Sequence, residues 1–402
     1  MPFETPAAAR RRIAVIGGGI SGMGAAHLLS RDASVVLFEA EGRLGGHART
    51  VLAGRRGDQP VDTGFIVFNR VNYPNLVRLF EALSVPVVPS DMSFGASING
   101  GRLEYGLKDL RATFCQPGNA LRPGFVRMLR DIFRFNAGAR DVAAADPGLT
   151  IGGLLDRLGT GPWFRDYYLL PLSGAIWSTP PAGILAFPAH ALVRFFENHA
   201  LMSYSGQHQW YTVAGGSVEY VRRLGGAMAT AGVDIRTGAP VTAVRRVAGG
   251  AEVRARGGLW ERFDEVILAT HSDDTLRLLA DPSPQEAEAL SAVRYQPNEA
   301  VLHSDSRLMP RRRAAWSSWN YTEETDKAGD RIDLTYWMNS LQPIPESDPH
   351  FVTLNTTRPI RESLIHDVTT FRHPVYDLGA LRAQATLRAL NGRANTWFCG
   401  AW

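Results

Sequence analysis

Gly17, Gly19 and Gly22, followed by Glu39 about twenty residues on, are the residues whose types and spacing most directly imply chemistry. In the pattern Gly-x-Gly-x-x-Gly, Gly17 allows a tight turn, Gly19 lets a pyrophosphate approach the backbone, and Gly22 lets a helix pack closely on a strand. The first N–H groups of that helix, from Ser21 onward, then point at the phosphates. Glu39 stands where an acid accepts hydrogen bonds from ribose hydroxyls, and its charge disfavours a 2′-phosphate, so NADP is set aside and FAD or NAD remains.

The elements needed to position these groups can be read on either side. Ile13-Ala14-Val15-Ile16 is a short aliphatic run suited to a buried parallel strand, Ile20 to Leu29 is an Ala-containing helix, and Val35-Val36-Leu37-Phe38 is a second strand ending at Glu39. The strand before, the helix after and the spaced acid distinguish this motif from a glycine loop that merely joins two elements.

Directly after the acid comes Glu41-Gly42-Arg43-Leu44-Gly45-Gly46-His47-Ala48-Arg49-Thr50. This stretch resembles the Arg-x-Gly-Gly-Arg loop of the flavin-containing amine oxidase superfamily, which also holds phytoene desaturases and protoporphyrinogen oxidases. Arg43, Gly45 and Gly46 match, and His47 replaces the second arginine. Val61-Asp62-Thr63-Gly64-Phe65 resembles the family's next flavin-side strand and turn. His47 with Phe65-Ile66-Val67-Phe68-Asn69 is similar to a bacterial branch associated with cyclopropane-fatty-acid-synthase-like enzymes. The resemblance implies FAD as cofactor, contacts from Gly64 and Phe65, an adenine reader at Val241 in Pro240-Val241-Thr242-Ala243-Val244, and a flavin-side glycine at Gly400.

Composition bounds the remaining choices. A 402-residue chain is long enough for two domains with cores of their own, and 45% hydrophobic with 20% charged residues is ordinary for a globular protein. The net charge of +4 is small, and with only Lys108 and Lys327 as lysines the positive charge is nearly all arginine, so no nucleic-acid footprint is read from it. Cys115 and Cys399 supply neither a disulfide framework nor metal spacing, which makes a reducing cytoplasm the expectation and leaves no metal site assigned. The apolar stretch from Ile13 to Leu29 reads as the strand and nucleotide turn rather than a secretory signal, and no other stretch reads as a membrane span.

The fold expected is α/β: a Rossmann-type FAD-binding domain at 13–88, 212–292 and 373–402, with an inserted α+β substrate domain at 89–211 and 293–372. Tyr73 to Leu83 has helical spacing, residues 89 to about 110 suggest a hairpin, and Glu265 to Thr270 reads as a further buried strand. Strands are also expected at Val301–Ser304, Ala315–Trp319, Leu334–Met338 and Phe351–Leu354, with a helix at Leu381–Leu390 and a last strand at Asn395–Cys399.

Residues 121–137 set Phe125, Val126, Met128, Leu129, Ile132, Phe133 and Phe135 among Arg122, Arg127, Arg130 and Arg134. Such a basic amphipathic helix can lie peripherally in a membrane interface. The plainer reading, an ordinary helix with a solvated arginine face, is preferred for its wide apolar stripe and Asp131. Residues 162–212 are rich in aromatics, among them Trp177 and Tyr204, and from these and the later strands His199, Trp210, Tyr336 and Trp337 are taken as candidate substrate-lining residues. Many amine oxidases hold a lysine near the flavin from the strands of the region 293–371; neither Lys108 nor Lys327 falls in such a strand.

The family's last strand leads through a glycine turn into a helix that faces the flavin, whereas this chain stops at Gly400-Ala401-Trp402. The expectation is a shortened flavoprotein with weakened flavin retention. The function expected is an FAD-dependent oxidoreductase removing a hydride from a bulky apolar substrate, a lipid or modified fatty acyl chain. The alternatives are a flavin amine oxidase and a nucleotide-binding protein without turnover.

Overall fold

Short runs of β-branched and aliphatic residues make a five-stranded, wholly parallel sheet in the computed structural model, which describes residues 10–177, 181–202, 207–324, 333–400 and 402. Its strands are β1 (Arg12–Ile16), β2 (Ser34–Phe38), β3 (Asp234–Arg236), β4 (Glu265–Leu268) and β5 (Thr396–Phe398), in the order β3-β2-β1-β4-β5. Ile13, Ala14, Val15, Val35, Leu37, Val266 and Leu268 are almost fully buried, as expected of strands covered on both faces. The order reverses between β1 and β4, the place where doubly wound sheets bind ligands at their carboxyl ends. Helix α1 (Ile20–Leu29) follows β1 and packs on the helix Val218–Thr230. Between β3 and β4 the chain makes a three-stranded antiparallel ribbon, Val241–Val247, Gly250–Ala255 and Trp260–Phe263.

This unit is drawn from Met1–Arg49, Val218–Arg294 and Gly379–Trp402, and a second from Thr50–Ser217 and Tyr295–Leu378. The chain thus enters the second unit after Arg49, well before the 88/89 boundary expected from sequence. The reason is pairing within that unit: Thr50–Ala53 pairs with Gln59–Asp62, and both Val67–Asn69 and Val87–Ser90 pair with Trp210–Val213.

In the second unit a seven-stranded sheet runs in the order Ile365–Val375, Arg294–His303, Phe351–Leu354, Asp333–Trp337, Trp319–Thr322, Phe94–Ile98, Leu103–Gly106. Phe94–Ile98 and Leu103–Gly106 form the expected hairpin. The strand expected from Ala315 instead begins at Trp319, because the Asn320 side chain accepts from Ser317 N–H at 2.9 Å and donates to Ser317 C=O, bending the chain before it. A helical layer comprises Pro123–Ala145, Ile151–Leu158 and Ala189–Asn198. Thr150 caps the second of these through Gly153 N–H, and Gly159 closes it at φ +63°. Phe125, Phe135, Phe164 and Phe196 fill the core between these elements.

Phe125, Met128, Ile132 and Phe135 of the long helix point inward, but Val126 and Phe133 are exposed, so the single broad apolar side expected at 121–137 is divided. Asp131 is buried, accepting from Gly161 N–H at 2.7 Å, with Arg127 and Arg134 at 3.7 and 3.6 Å. Among the described residues no helix is long and apolar enough to cross a membrane.

Candidate functional site

The glycine turn after β1 is built by close approaches that exclude a side chain. Gly17 sits at φ +109°, where a Cβ would come 2.7 Å from the Ala269 carbonyl oxygen, and its N–H donates to Phe38 C=O at 2.8 Å. A Cβ on Gly22 would fall inside contact distance of the Gly17 carbonyl, so helix and turn can pack only with glycine there. Gly19 differs: a Cβ on it would meet nothing within 4 Å. That open side lies at the N-cap of α1, which has no side-chain cap and no acid in its first turn. Its first N–H groups, Ser21 among them, are therefore available to an anion.

Glu39 reaches back from the end of β2 to this turn. One carboxylate oxygen accepts from Gly18 N–H at 2.6 Å and the other from Glu41 N–H at 2.7 Å, which leaves each with a lone pair for a ribose hydroxyl. The Glu39 backbone receives Ala239 N–H at 2.9 Å, which brings the segment leading to Val241 beside it. Val241 itself is half-buried at the head of the antiparallel ribbon.

The second glycine loop lies against the first. Gly45 N–H donates to Gly18 C=O at 2.8 Å, and Gly45 and Gly46 adopt φ +112° and +56°. Arg43 braces this loop from within, its guanidinium donating to Gly46 C=O at 2.9 Å and Ala48 C=O at 3.2 Å, with Glu41 at 3.1 Å. Its structural work is to hold carbonyls. Arg43→Met is accordingly expected to loosen the loop and weaken FAD binding about tenfold, or about 1.4 kcal/mol, with Arg43→Lys restoring little because an ammonium cannot span those carbonyls. A fluorescence titration of the apoprotein with FAD checks this.

His47, replacing the family's second arginine, sets its ring edge-on to His271 at 5.6 Å. His271 follows β4 and was not singled out in the sequence; nothing local marks a contact with so distant a residue. His271, Asp273 and Asp274 bring ligand-type atoms within 4.8 Å of one another, yet Arg277 pairs with both carboxylates. Gly400 lies at the same end of the sheet, where Cys399 N–H donates to Leu268 C=O at 3.0 Å and the Trp402 indole donates to Thr270 C=O at 2.9 Å. Gly17, Gly19, Ser21, Gly22, Glu39, Arg43, Gly45 and Gly46 thus gather at one end of the sheet. The open side of Gly19, the uncapped helix and the carboxylate fit the diphosphate and ribose of FAD.

Gly64 and Phe65 belong to the second unit, in the turn after Gln59–Asp62. Asp62 in that strand is 1% exposed and was not assigned a role from sequence. Its carboxylate accepts from Thr50 Oγ1 at 2.5 Å, Ser217 N–H at 2.9 Å, Ser217 Oγ at 2.7 Å and Gln342 Nε2 at 3.0 Å. Burial pushes this carboxyl up to about 6, against the opposing pull of the Thr50 and Ser217 hydrogen bonds.

Of the four substrate candidates, His199 and Trp210 come together, their rings stacked at 5.9 Å, and Phe195 also stacks on His199 at 4.0 Å. His199 Nδ1 carries the hydrogen, since it faces the Phe195 carbonyl at 2.8 Å, and burial lowers its pKa, so a neutral imidazole is held with Nε2 as the acceptor. Tyr336 and Trp337 are successive strand residues and face opposite sides of the sheet. Tyr336 is half-buried and edge-on to Trp319 at 5.5 Å, whereas Trp337 packs on Trp316 and under the Arg313 guanidinium at 4.3 Å. Lys108 is exposed; Tyr204, Lys327 and the Trp177 side chain lie outside what is described.

A family model described as "Flavin containing amine oxidoreductase" matches residues 20–307. Protoporphyrinogen oxidase 2, chloroplastic/mitochondrial, of Arabidopsis thaliana is 49% identical over 50 residues, which are 12% of this chain and about a tenth of that protein's length. Among solved structures, wild-type putrescine oxidase bound to putrescine is similar at TM-score 0.68 and 16% identity, over 97% of this chain and 93% of that one. The CLA-producing fatty acid isomerase of P. acnes is similar at TM-score 0.64 and 14% identity, again over 97% and 93%. At such identities the two structures establish a shared fold.

Proposed function

Since this chain belongs to the flavin-containing amine oxidoreductases, a family of FAD-dependent oxidoreductases, we propose that it removes a hydride from a bulky apolar substrate, a lipid or modified fatty acyl chain. When bound, FAD supplies the two-electron acceptor. In this reading the N–H groups opened by Gly19 and Ser21 take the diphosphate, Glu39 takes the ribose hydroxyls, and Val241 lies against the adenine. Arg43 keeps the Gly45-Gly46 loop in place along the diphosphate, while Gly64, Phe65 and Gly400 are assigned to the flavin side.

The observation carrying the apolar substrate is the uncharged character of half-buried side chains around the core of the second unit. Ile66, Leu201, Met202, Trp319, Tyr336 and Tyr376 pack on its core and yet keep part of their surface open. None of the six carries a charge, and burial raises the Tyr336 phenol and pushes that of Tyr376 up to about 12, so both stay neutral across the physiological range. Side chains of this kind cover an alkyl chain favourably, at about 25 cal/mol per Å² of apolar area, and supply no counter-ion of their own to an ammonium group. The likeness in fold to a fatty acid isomerase agrees with this choice, and the likeness to putrescine oxidase supplies its rival.

The test is anaerobic bleaching of the flavin's visible absorbance by fatty acyl lipids on one side and by polyamines and aromatic amines on the other. Bleaching by acyl lipids, weakened several-fold in KM by Tyr336→Ser, is the expected result. Bleaching by amines alone would transfer the assignment to amine oxidation. Bound flavin that no substrate bleaches would indicate a nucleotide-binding protein without turnover.

A further inference from the structure

The outward face around the start of the long helix joins exposed apolar side chains to an excess of positive charge. Leu121 ends the short turn Pro117–Leu121 and is 87% exposed; Val126 and Phe133 follow at 40% and 58%. Residues 110–140 hold six arginines and a single acid, Asp131, which is buried. Arg127, Arg130 and Arg134 stand exposed on the same helical face as Val126 and Phe133, and Arg130 has no acidic partner among the described residues. A cleft of about 390 Å³ between turn and helix is lined by Ala120, Leu121, Pro123, Val126, Arg127 and Arg130. Beside it Phe114 packs on Phe125 at 6.1 Å, anchoring a second exposed pair, Leu110 and Arg111, near the same end of the helix.

We propose that this face docks on the surface of an anionic phospholipid bilayer, with Leu121 and Val126 entering the headgroup boundary and Arg127 and Arg130 meeting lipid phosphates. Charge complementarity selects this occupant: residues 110–140 carry six arginines against one buried acid, and Arg130 has no acidic partner among the described residues. The distribution of apolar groups agrees, because Leu121 and Val126 are bordered in the same cleft by Arg127 and Arg130, the mixture of apolar and basic groups found in helices lying in the interfacial plane. Pro117 and Pro123 flank the Leu121 turn and limit its backbone freedom, so little order is lost on insertion. The docking assignment rests on this face alone and holds whether the oxidised substrate is a lipid or an amine.

Co-sedimentation with vesicles of phosphatidylcholine mixed with phosphatidylglycerol, compared with phosphatidylcholine alone, tests the assignment. The protein should bind the anionic vesicles, bind neutral ones at least tenfold more weakly, and release as salt is raised. Arg127→Gln and Arg130→Gln should each weaken binding about fivefold and Leu121→Asn about tenfold. Arg130 and Leu121 are exposed, so these variants should keep the wild-type unfolding midpoint. Equal binding to neutral vesicles, no binding at low salt, or undiminished binding by the variants would overturn the proposal. So would a concentration-dependent dimer abolished by Leu121→Asn, which would assign the face to a second copy of this chain.

Discussion

Alanine at Gly19 will cut FAD affinity by about a hundredfold while leaving the apoprotein's unfolding midpoint unchanged, and alanine at Gly22 will damage both. The two glycines sit three residues apart in one motif, but their surroundings differ in kind. A Cβ on Gly19 enters open space beside the uncapped N-terminus of α1, and the residue's φ of −73° suits alanine, so the protein itself has no reason to resist. On the proposed assignment the ligand does: a methyl group there would hold the diphosphate away from the first helical N–H groups. Losing one or two charge-assisted hydrogen bonds, each worth about 1.5–3 kcal/mol, accounts for the hundredfold loss. On Gly22 the same methyl would press into the Gly17 carbonyl, a backbone atom fixed by the Gly17 N–H bond to Phe38. The helix must then move off the sheet, at a cost of about 1–3 kcal/mol or more. Melting the apoproteins separates the cases, since bound flavin would itself raise the midpoint. Equal flavin retention by Gly19→Ala and wild type would show that the diphosphate lies elsewhere.

The same contrast explains how much could be read in advance. The nucleotide-binding half was legible because its constraints are local: an aliphatic run, a glycine where φ must be positive, an acid at a strand end. The runs chosen for β1, β2 and β4 became strands close to their expected bounds, and Arg43, Gly45 and Gly46 form a loop against the first turn. Local signals fail where two patterns share one period. In the long helix Phe125, Met128, Ile132 and Phe135 follow helical spacing, but so do Val126 and Phe133, and only packing against Phe164 and Phe196 determines which set is inside. Contacts across long stretches of chain leave no local mark at all. The partners of Asp62 lie 12, 155 and 280 residues away, so a carboxylate inside a recognised motif could be quoted without its role being visible.

That buried carboxylate should make the second unit more stable as the pH falls from 7 toward 4, opposite to the usual behaviour of a paired acid. In the unfolded chain Asp62 titrates near 3.8, and burial holds the folded group at about 6. Between these values the folded state binds the extra proton, so its stability declines as pH rises from 3.8 through 6 and recovers as pH falls back toward 3.8. At about 1.4 kcal/mol per pH unit, the interval from 3.8 to about 6 amounts to about 3 kcal/mol. Asp305 works in the other direction: hydrogen bonds from Arg307 hold its carboxyl below its usual range, so its stabilisation is present above that range and lost as acid is added. Total stability mixes the two, and the difference between wild type and Asp62→Asn isolates the first. The amide nitrogen introduced by that substitution would face donors from Ser217 or Gln342, so the variant should be weaker at every pH, but without the titration of Asp62. Denaturant melts at about pH 4, 5, 6 and 7 should show the wild type's advantage over Asp62→Asn growing by about 2 kcal/mol toward low pH. A constant advantage would mean that Thr50, Ser217 and Gln342 stabilise an ionised Asp62, their hydrogen bonds outweighing the cost of burying its charge.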